Sequence, residues 1–170
     1  MNEEGLSETC QYLTFNLEDE VFALDIGKVR EVLDFTTVTK VPQTPDFMRG
    51  VINLRGSVLP VVDLRLRFGM AETEKTVNTC VIITEVRLDS ETVVLGCMAD
   101  SVQEVMDLEP DQIEHPPRIG TKLNTDFIRG MGKRNDQFIM ILNIDKIFSK
   151  EELTTVQGSE DETNMLTDVA

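Results

Sequence analysis

A segment that recurs at a fixed displacement constrains the fold of this chain more than any other feature. Residues 47–68 read as strand, glycine turn, strand and short helix, and the same order returns over 127–148. Phe47 corresponds to Phe127, Arg49-Gly50 to Arg129-Gly130, and Phe68 to Phe148, all at one displacement. A second correspondence sets Val29-Arg-Glu-Val-Leu-Asp34 on Val102-Gln-Glu-Val-Met-Asp107, at a slightly shorter displacement. Seven extra residues before Phe127, in a stretch that holds Pro110, Pro116 and Pro117, reconcile the two displacements as a longer loop. Shared order, more than identity, describes a chain built twice.

The remaining pattern is mainly β. Residues 1–10 are polar and read as a flexible N-terminus, after which Tyr12-Leu-Thr-Phe-Asn-Leu17 alternates apolar and polar side chains as a half-buried strand does. Glu18-Asp-Glu20 turns the chain into Val21-Phe-Ala-Leu24, and Asp25 is placed to cap a helix that puts Ile26, Val29, Val32 and Leu33 on one face. A strand over 38–41 precedes Pro42 and Pro45, which interrupt backbone pairing. Gly50 and Gly56 fall where a bulge and a tight turn need backbone freedom, and Gly69 stops the short helix after Asp63.

Residues 70–78 are polar and charged and read as a linker. Beyond it, strands around Cys80 and Thr92 join at Asp89-Ser90, and residues 102–107 supply a short helix or a further strand. The expected architecture is two β-rich lobes, over about 11–69 and 79–148, each a small closed or partly closed barrel, with the exchange of strands between them left open. Residues 149–170 begin with helix-compatible positions and become acidic around Ser159-Glu-Asp-Glu-Thr163, the pattern of a helix or an acidic flexible tail.

Charge removes several function classes. With 31 acidic and 16 basic residues, the chain of 170 carries a formal charge of −15, which repels phosphate backbones and anionic membrane surfaces. No nucleic-acid partner is expected. Apolar runs fall short of the roughly 20 residues that cross a bilayer, so no direct membrane insertion is expected either. Cys10, Cys80 and Cys97 form no close pair of the kind that grips zinc, and fit a reduced, cytoplasmic chain.

Catalytic signals are weak throughout. His115 is the only histidine and reads as an ordinary loop residue. Gly130-Met-Gly-Lys133 lacks the first glycine and the Ser/Thr of a phosphate loop and reads as a β-turn segment. No serine sits in a nucleophile elbow, and Cys80 and Cys97 lie in strand-like runs without a histidine beside them. No catalytic, metal or cofactor site is expected. The concentration of Arg49, Arg55, Arg65 and Arg67 in an acidic chain is more informative. Arg55 stands out, because a tight turn in Asn53-Leu-Arg-Gly56 would hold its planar donors at the surface, where they can engage a carboxylate or a backbone oxygen.

Three pieces taken together carry a resemblance: Asp25-Ile-x-x-Val-x-Glu-Val, Pro45-x-Phe-x-Arg-Gly-Val-Ile-Asn-Leu-Arg-Gly, and Pro60-Val-Val-Asp-Leu. In order and spacing, over about residues 11–148, they resemble the chemotaxis coupling proteins of the CheW family. The resemblance implies two SH3-like five-stranded β-barrels in a cytoplasmic adaptor without catalysis of its own. It implies as partners a CheA-type histidine kinase and the cytoplasmic tip of methyl-accepting chemoreceptors, recruitment to membrane-associated receptor arrays, and ring assembly there. Carried over by motif position, Gly50, Asn53, Arg55 and Gly56 form the expected receptor-responsive surface, and Val29 and Glu31 the expected contact or coupling positions.

Two other readings compete. A small β-barrel enzyme working through acidic residues would need a pocket that separates two carboxyl pKa values, and the sequence shows none. An adaptor of a related, non-flagellar receptor pathway would share every motif above.

Overall fold

The computed structural model describes residues 10–115, 127–134, 136–149 and 152. Its first strand, β1 (Cys10–Leu17), begins at Cys10, so that residue belongs to the sheet and not to a loose terminus. β2 (Glu20–Asp25) returns antiparallel to β1 through a turn at Glu18, whose φ is 56°.

The Asp25 cap forms as expected, with its carboxylate accepting from the Gly27 N–H at 2.9 Å. The helix it starts is only a 3-10 turn over Ile26–Lys28. From there the chain is β3 (Val29–Asp34), which pairs antiparallel with residues 80–84 and shows a period of two: Val29, Glu31 and Leu33 are half-buried while Arg30, Val32 and Asp34 are exposed. Pairing with a neighbour strand outweighs the helical spacing of four apolar residues, three of them β-branched and at home on a pleated surface.

Residues 38–41 also depart from expectation. Only Thr39 pairs, through two backbone bonds with Val51 of 2.9 and 2.8 Å. Prolines at 42 and 45 prevent the pairing from extending.

β4 (Met48–Leu54) and β5 (Ser57–Asp63) make the hairpin of the repeated motif, followed by α1 (Leu64–Arg67). β6 (Cys80–Leu88) and β7 (Glu91–Ala99) form the long hairpin turned at Asp89-Ser90, and residues 101–108 form a strand, β8 (Ser101–Leu108). After β9 (Ile113–Glu114) come β10 (Ile128–Arg134), β11 (Gln137–Leu142) and α2 (Ile144–Ile147), the second copy of the motif. Gly130, Gly132 and Lys133 thus lie in a strand and not in a turn. The loop at 116–126 and nearly all of the tail lie outside the described residues, and so does most of the N-terminal segment.

Two sheets result, ordered β8-β1-β2-β11-β10-β9 and β3-β6-β7-β5-β4. One therefore has six strands, counting the two-residue β9, and the other five. Their end strands are not paired with each other, so these SH3-like lobes are open barrels. The sheets also divide the chain differently from its sequence halves: β3 to β7 make one continuous lobe, while β1 and β2 leave their own half and pair with β8 and β11. The repeat survives this exchange, since β2–β11 and β5–β7 are the parallel contacts and occupy equivalent places.

Strand alternation explains why β2, β6 and β7 read as almost continuously apolar. Phe22 and Leu24 face a core shared by the two lobes, whereas Val21 and Ala23 between them face the core of the six-stranded lobe. Likewise Ile82 faces the shared core, and Val81 and Ile83 the five-stranded lobe. A strand buried on both faces carries no polar stripe.

The segment at 70–78 is more than a linker. Thr73 is buried, and its N–H and hydroxyl donate to the Asp63 carboxylate at 2.9 and 2.7 Å. Asp63 is itself fully buried, caps α1 by accepting from the Arg65 N–H at 3.0 Å, and pairs with Arg49 at 3.2 Å. The aspartate of Pro60-Val-Val-Asp-Leu thereby ties hairpin, helix and following segment together.

Candidate functional site

At the tip of the β4–β5 hairpin, the paired residues Leu54 and Ser57 leave only Arg55 and Gly56 in the turn. Both have positive φ, 51° and 89°, the combination that matches the twist of a two-residue hairpin. Glycine adopts it freely; arginine does so at a small cost. Asn53 stabilises the turn, its side-chain oxygen accepting from the Gly56 N–H at 2.9 Å. The turn thus fixes the direction in which Arg55 leaves the sheet.

Arg55 meets Glu31. The two terminal guanidinium nitrogens donate to the two carboxylate oxygens, one of them at 3.4 Å. The Arg55 side chain is 70% exposed and that of Glu31 31%. Hydrogen bonding from Arg55 lowers the Glu31 pKa below the ordinary glutamate value, and the same contact raises that of Arg55. Glu31 sits on β3 and Arg55 on the turn that leaves β4, the two end strands of the five-stranded lobe. Side chains therefore span the opening that backbone hydrogen bonds leave.

Exposure separates the four arginines of the motif. Arg49 is pinned by Asp63 and by Glu72 at 2.6 Å. Arg65, 13% exposed, reaches Asp100 at 3.1 Å and Glu18 at 3.0 Å, joining α1 to turns of the other lobe. Arg67 lies over the rings of Phe47 and Phe127 at 5.2 and 5.1 Å and donates to the Ile147 carbonyl at 2.8 Å. Arg65 and Arg67 tie the lobes together, Arg49 is held within its own lobe, and Arg55 is the one presented to solvent.

Gly50 lies five residues before Arg55 along β4, and Val29 two residues before Glu31 on β3. Gly50 is buried at a bulge of β4 with φ 144°, and a Cβ there would stand 2.0 Å from the Thr39 carbonyl oxygen. Val29 is half-buried against the shared core. The residues grouped by motif thus separate into a displayed pair, Glu31 and Arg55, a turn made by Asn53 and Gly56, and two positions that shape the backbone and core.

Sequence reasoning missed the apolar surface. Val32 and Val58 are 40% and 49% exposed; Val32 follows Glu31 on β3, and Val58 faces Asn53 across the hairpin. In the other lobe Val105 and Phe138 are 48% and 50% exposed. Val105 stands to Val32 as Val102 stands to Val29, and Phe138 stands to Val58 as Phe127 stands to Phe47, so both pairs obey the repeat. Applying its two displacements to apolar residues beside the motif would have found both pairs.

Two SH3-like lobes joined by a shared core, with a charged hairpin tip and matched apolar positions left in solvent, define a scaffold-type β protein. The chain belongs to the CheW family of chemotaxis scaffold proteins, as a family model described as the CheW-like domain matches residues 11–152. It is 34% identical over 148 residues to the chemotaxis protein CheW of Klebsiella aerogenes, covering 87% of each chain. It is 31% identical over 140 residues to that of Bacillus subtilis, covering 82% of this chain and 86% of the relative. Among solved structures it is similar to the scaffolding protein TtCheW of Thermoanaerobacter tengcongensis, with a TM-score of 0.74 and 34% identity over 85% of this chain and 96% of that one.

Proposed function

We propose that this chain is an adaptor that couples chemoreceptors to a CheA-type histidine kinase and transmits receptor control of kinase autophosphorylation, without catalysis or a cofactor of its own. The observation that carries the reading is the display of Arg55, ion-paired with Glu31, at a turn whose geometry Asn53 and Gly56 hold. A charged pair on a rigid hairpin sets register and partner choice, while the exposed apolar residues beside it supply contact area.

The second lobe presents Val105 and Phe138 at positions equivalent to Val32 and Val58. A molecule with related surfaces on two lobes can link partners in series, which suits assembly into rings within receptor arrays. The protein would work in the cytoplasm and reach the membrane through the receptors; no helix among the described residues is long and apolar enough to cross a bilayer. Coupling requires only that one arrangement of receptor and kinase be favoured by about 1–3 kcal/mol.

Co-sedimentation with receptor-containing membranes and kinase tests the proposal. The expected outcome is that the chain sediments with both and restores receptor control of kinase autophosphorylation. Failure to bind either partner, or unchanged control when the chain is omitted, rejects it.

A further inference from the structure

Beneath the β3–β4 connection lies a cavity of about 830 Å³ whose walls are both apolar and cationic. Phe35, Val38 and Met48 line it beside Lys40, Arg49 and Lys75. With Asp46 and Glu72 as its acids, this lining carries three cations against two anions in a chain of net charge −15. Arg49 is already engaged by Asp63 and Glu72. The Lys75 ammonium stands 5.3 Å over the Phe35 ring, and among the described residues neither it nor Lys40 has a carboxylate within 4.0 Å.

We propose that the acidic segment following Glu152 folds back into this cavity in the same molecule. Residues 153–170 contain Glu160, Asp161, Glu162 and Asp168 and no lysine, arginine or histidine, and Met165-Leu166 follow the acidic cluster. Carboxylates followed by apolar side chains complement a wall that places Lys40 and Lys75 beside Phe35, Val38 and Met48.

The departure point of the segment is equally specific. The Glu152 carboxylate lies 3.4 Å from Arg67, and Arg67 covers the ring of Phe47, the residue between Asp46 and Met48 of the cavity wall. The segment therefore leaves the fold two side chains from the cavity's flank. Glu160 is eight positions beyond Glu152, a stretch that spans up to roughly 26–29 Å when extended, enough to bring the acidic cluster to the cavity. Tethering gives the segment an effective concentration of order millimolar, so weak screened contacts suffice to populate the docked state.

Amine acylation of the full-length protein, quantified residue by residue with mass spectrometry, tests this. Lys40 and Lys75 should be protected relative to Lys133 at low salt. In a variant carrying Glu160→Gln, Asp161→Asn and Glu162→Gln, their labelling should rise about three- to ten-fold, the effect of two or three screened ion pairs. Molar salt should raise labelling in the unsubstituted protein alone, and protection should not change on dilution. Equal labelling of the two proteins at low salt overturns the proposal. Protection that disappears on dilution also overturns it, because the segment then occupies the cavity of a neighbouring copy. Since receptor and kinase are absent, the result stands apart from the coupling function.

Discussion

Glu31 and Arg55 form an ion pair that joins the two end strands of the five-stranded lobe across the gap where the sheet does not close. Its members are 24 residues apart in sequence, one on β3 and the other in the turn that leaves β4. Arg55 is exposed and Glu31 half-buried at the edge of the sheet, so the pair adds little to folding, and a partner can engage it without dismantling the core. Binding can reorganise it at low cost, which suits a contact that responds to receptor state.

Reversing the charge of Arg55 should therefore separate coupling from stability. Arg55→Glu is expected to weaken receptor control of the kinase while the midpoint of urea unfolding stays close to that of the unsubstituted protein. Combining it with Glu31→Arg should restore the local pair and only part of the coupling. Unchanged coupling in the single variant at matched stability would remove Arg55 from the working surface.

The same pair fixes a pH dependence. Because Arg55 holds the Glu31 pKa below its ordinary value, the pair is intact above the unfolded glutamate pKa and is lost as pH falls through the folded one. Carboxyl resonances followed by NMR should place the Glu31 midpoint below that of exposed glutamates. Arg55→Gln should raise it toward the ordinary value.

Much of this site was legible because the Asn53-Leu-Arg-Gly56 turn is local: its residues are adjacent, glycine announces a positive φ, and asparagine supplies a side-chain acceptor for the turn. The Glu31–Arg55 contact was not legible as a contact, since it depends on how β3 and β4 end the same sheet. The mistaken helix through Leu33 came from the same blindness. Ile26, Val29, Val32 and Leu33 fit a helical stripe until β6 supplies a pairing partner for β3.

Gly50 and Gly56 look alike in sequence and should differ sharply on substitution. At Gly56 nothing lies within 4 Å of a new Cβ, so Gly56→Ala meets only backbone strain and should cost about 1–2 kcal/mol. Gly50→Ala drives a Cβ into the Thr39 carbonyl at a position already at positive φ, and should cost about 3–5 kcal/mol with loss of the Thr39–Val51 pairing. Urea unfolding measures both, and hydrogen exchange at the Val51 amide reports the pairing.

The repeat gave the order of elements and hid their assignment to sheets. Its two displacements describe equivalent sets of strands, but they are the same whether each set closes on itself or the sets exchange strands. Burial on both faces of β1, β2, β6 and β7 is the trace the exchange leaves, because each must serve a lobe core and the shared core at once. The buried Thr73 escaped notice for a related reason: a polar segment reads as a linker unless its partner, here Asp63, is known.

Removing that partner should free the segment. Asp63→Ala deprives the Thr73 N–H and hydroxyl and the Arg65 N–H of their acceptor and leaves Arg49 half-paired, and should cost about 3–5 kcal/mol. Thr73→Val keeps the carboxylate and loses one hydroxyl bond, so about 1–2 kcal/mol is expected. If Asp63 acts as this anchor, limited proteolysis should cut within 70–78 in the first variant well before the second. Similar cleavage in both would show that the segment is held by something else.

The cysteines offer a probe of the shared core itself. Cys97 is fully buried beside Thr84 in that core, and burial pushes its thiol up to about 12. Reaction requires the thiolate, so near pH 8 Cys97 should resist alkylation in the native protein and react only as the lobes come apart. Cys10 and Cys80, both half-buried, should react first. In the unfolded chain the Cys97 thiol ionises near its ordinary value of about 8.5, so above that pH the unfolded state holds fewer protons than the native one and stability falls as pH rises. Comparing the Cys97 alkylation rate with the global unfolding rate settles how the core opens. If the two coincide, the lobes unfold as one cooperative unit, as a core drawing side chains from both sheets requires; markedly faster alkylation would mean that they separate before either unfolds.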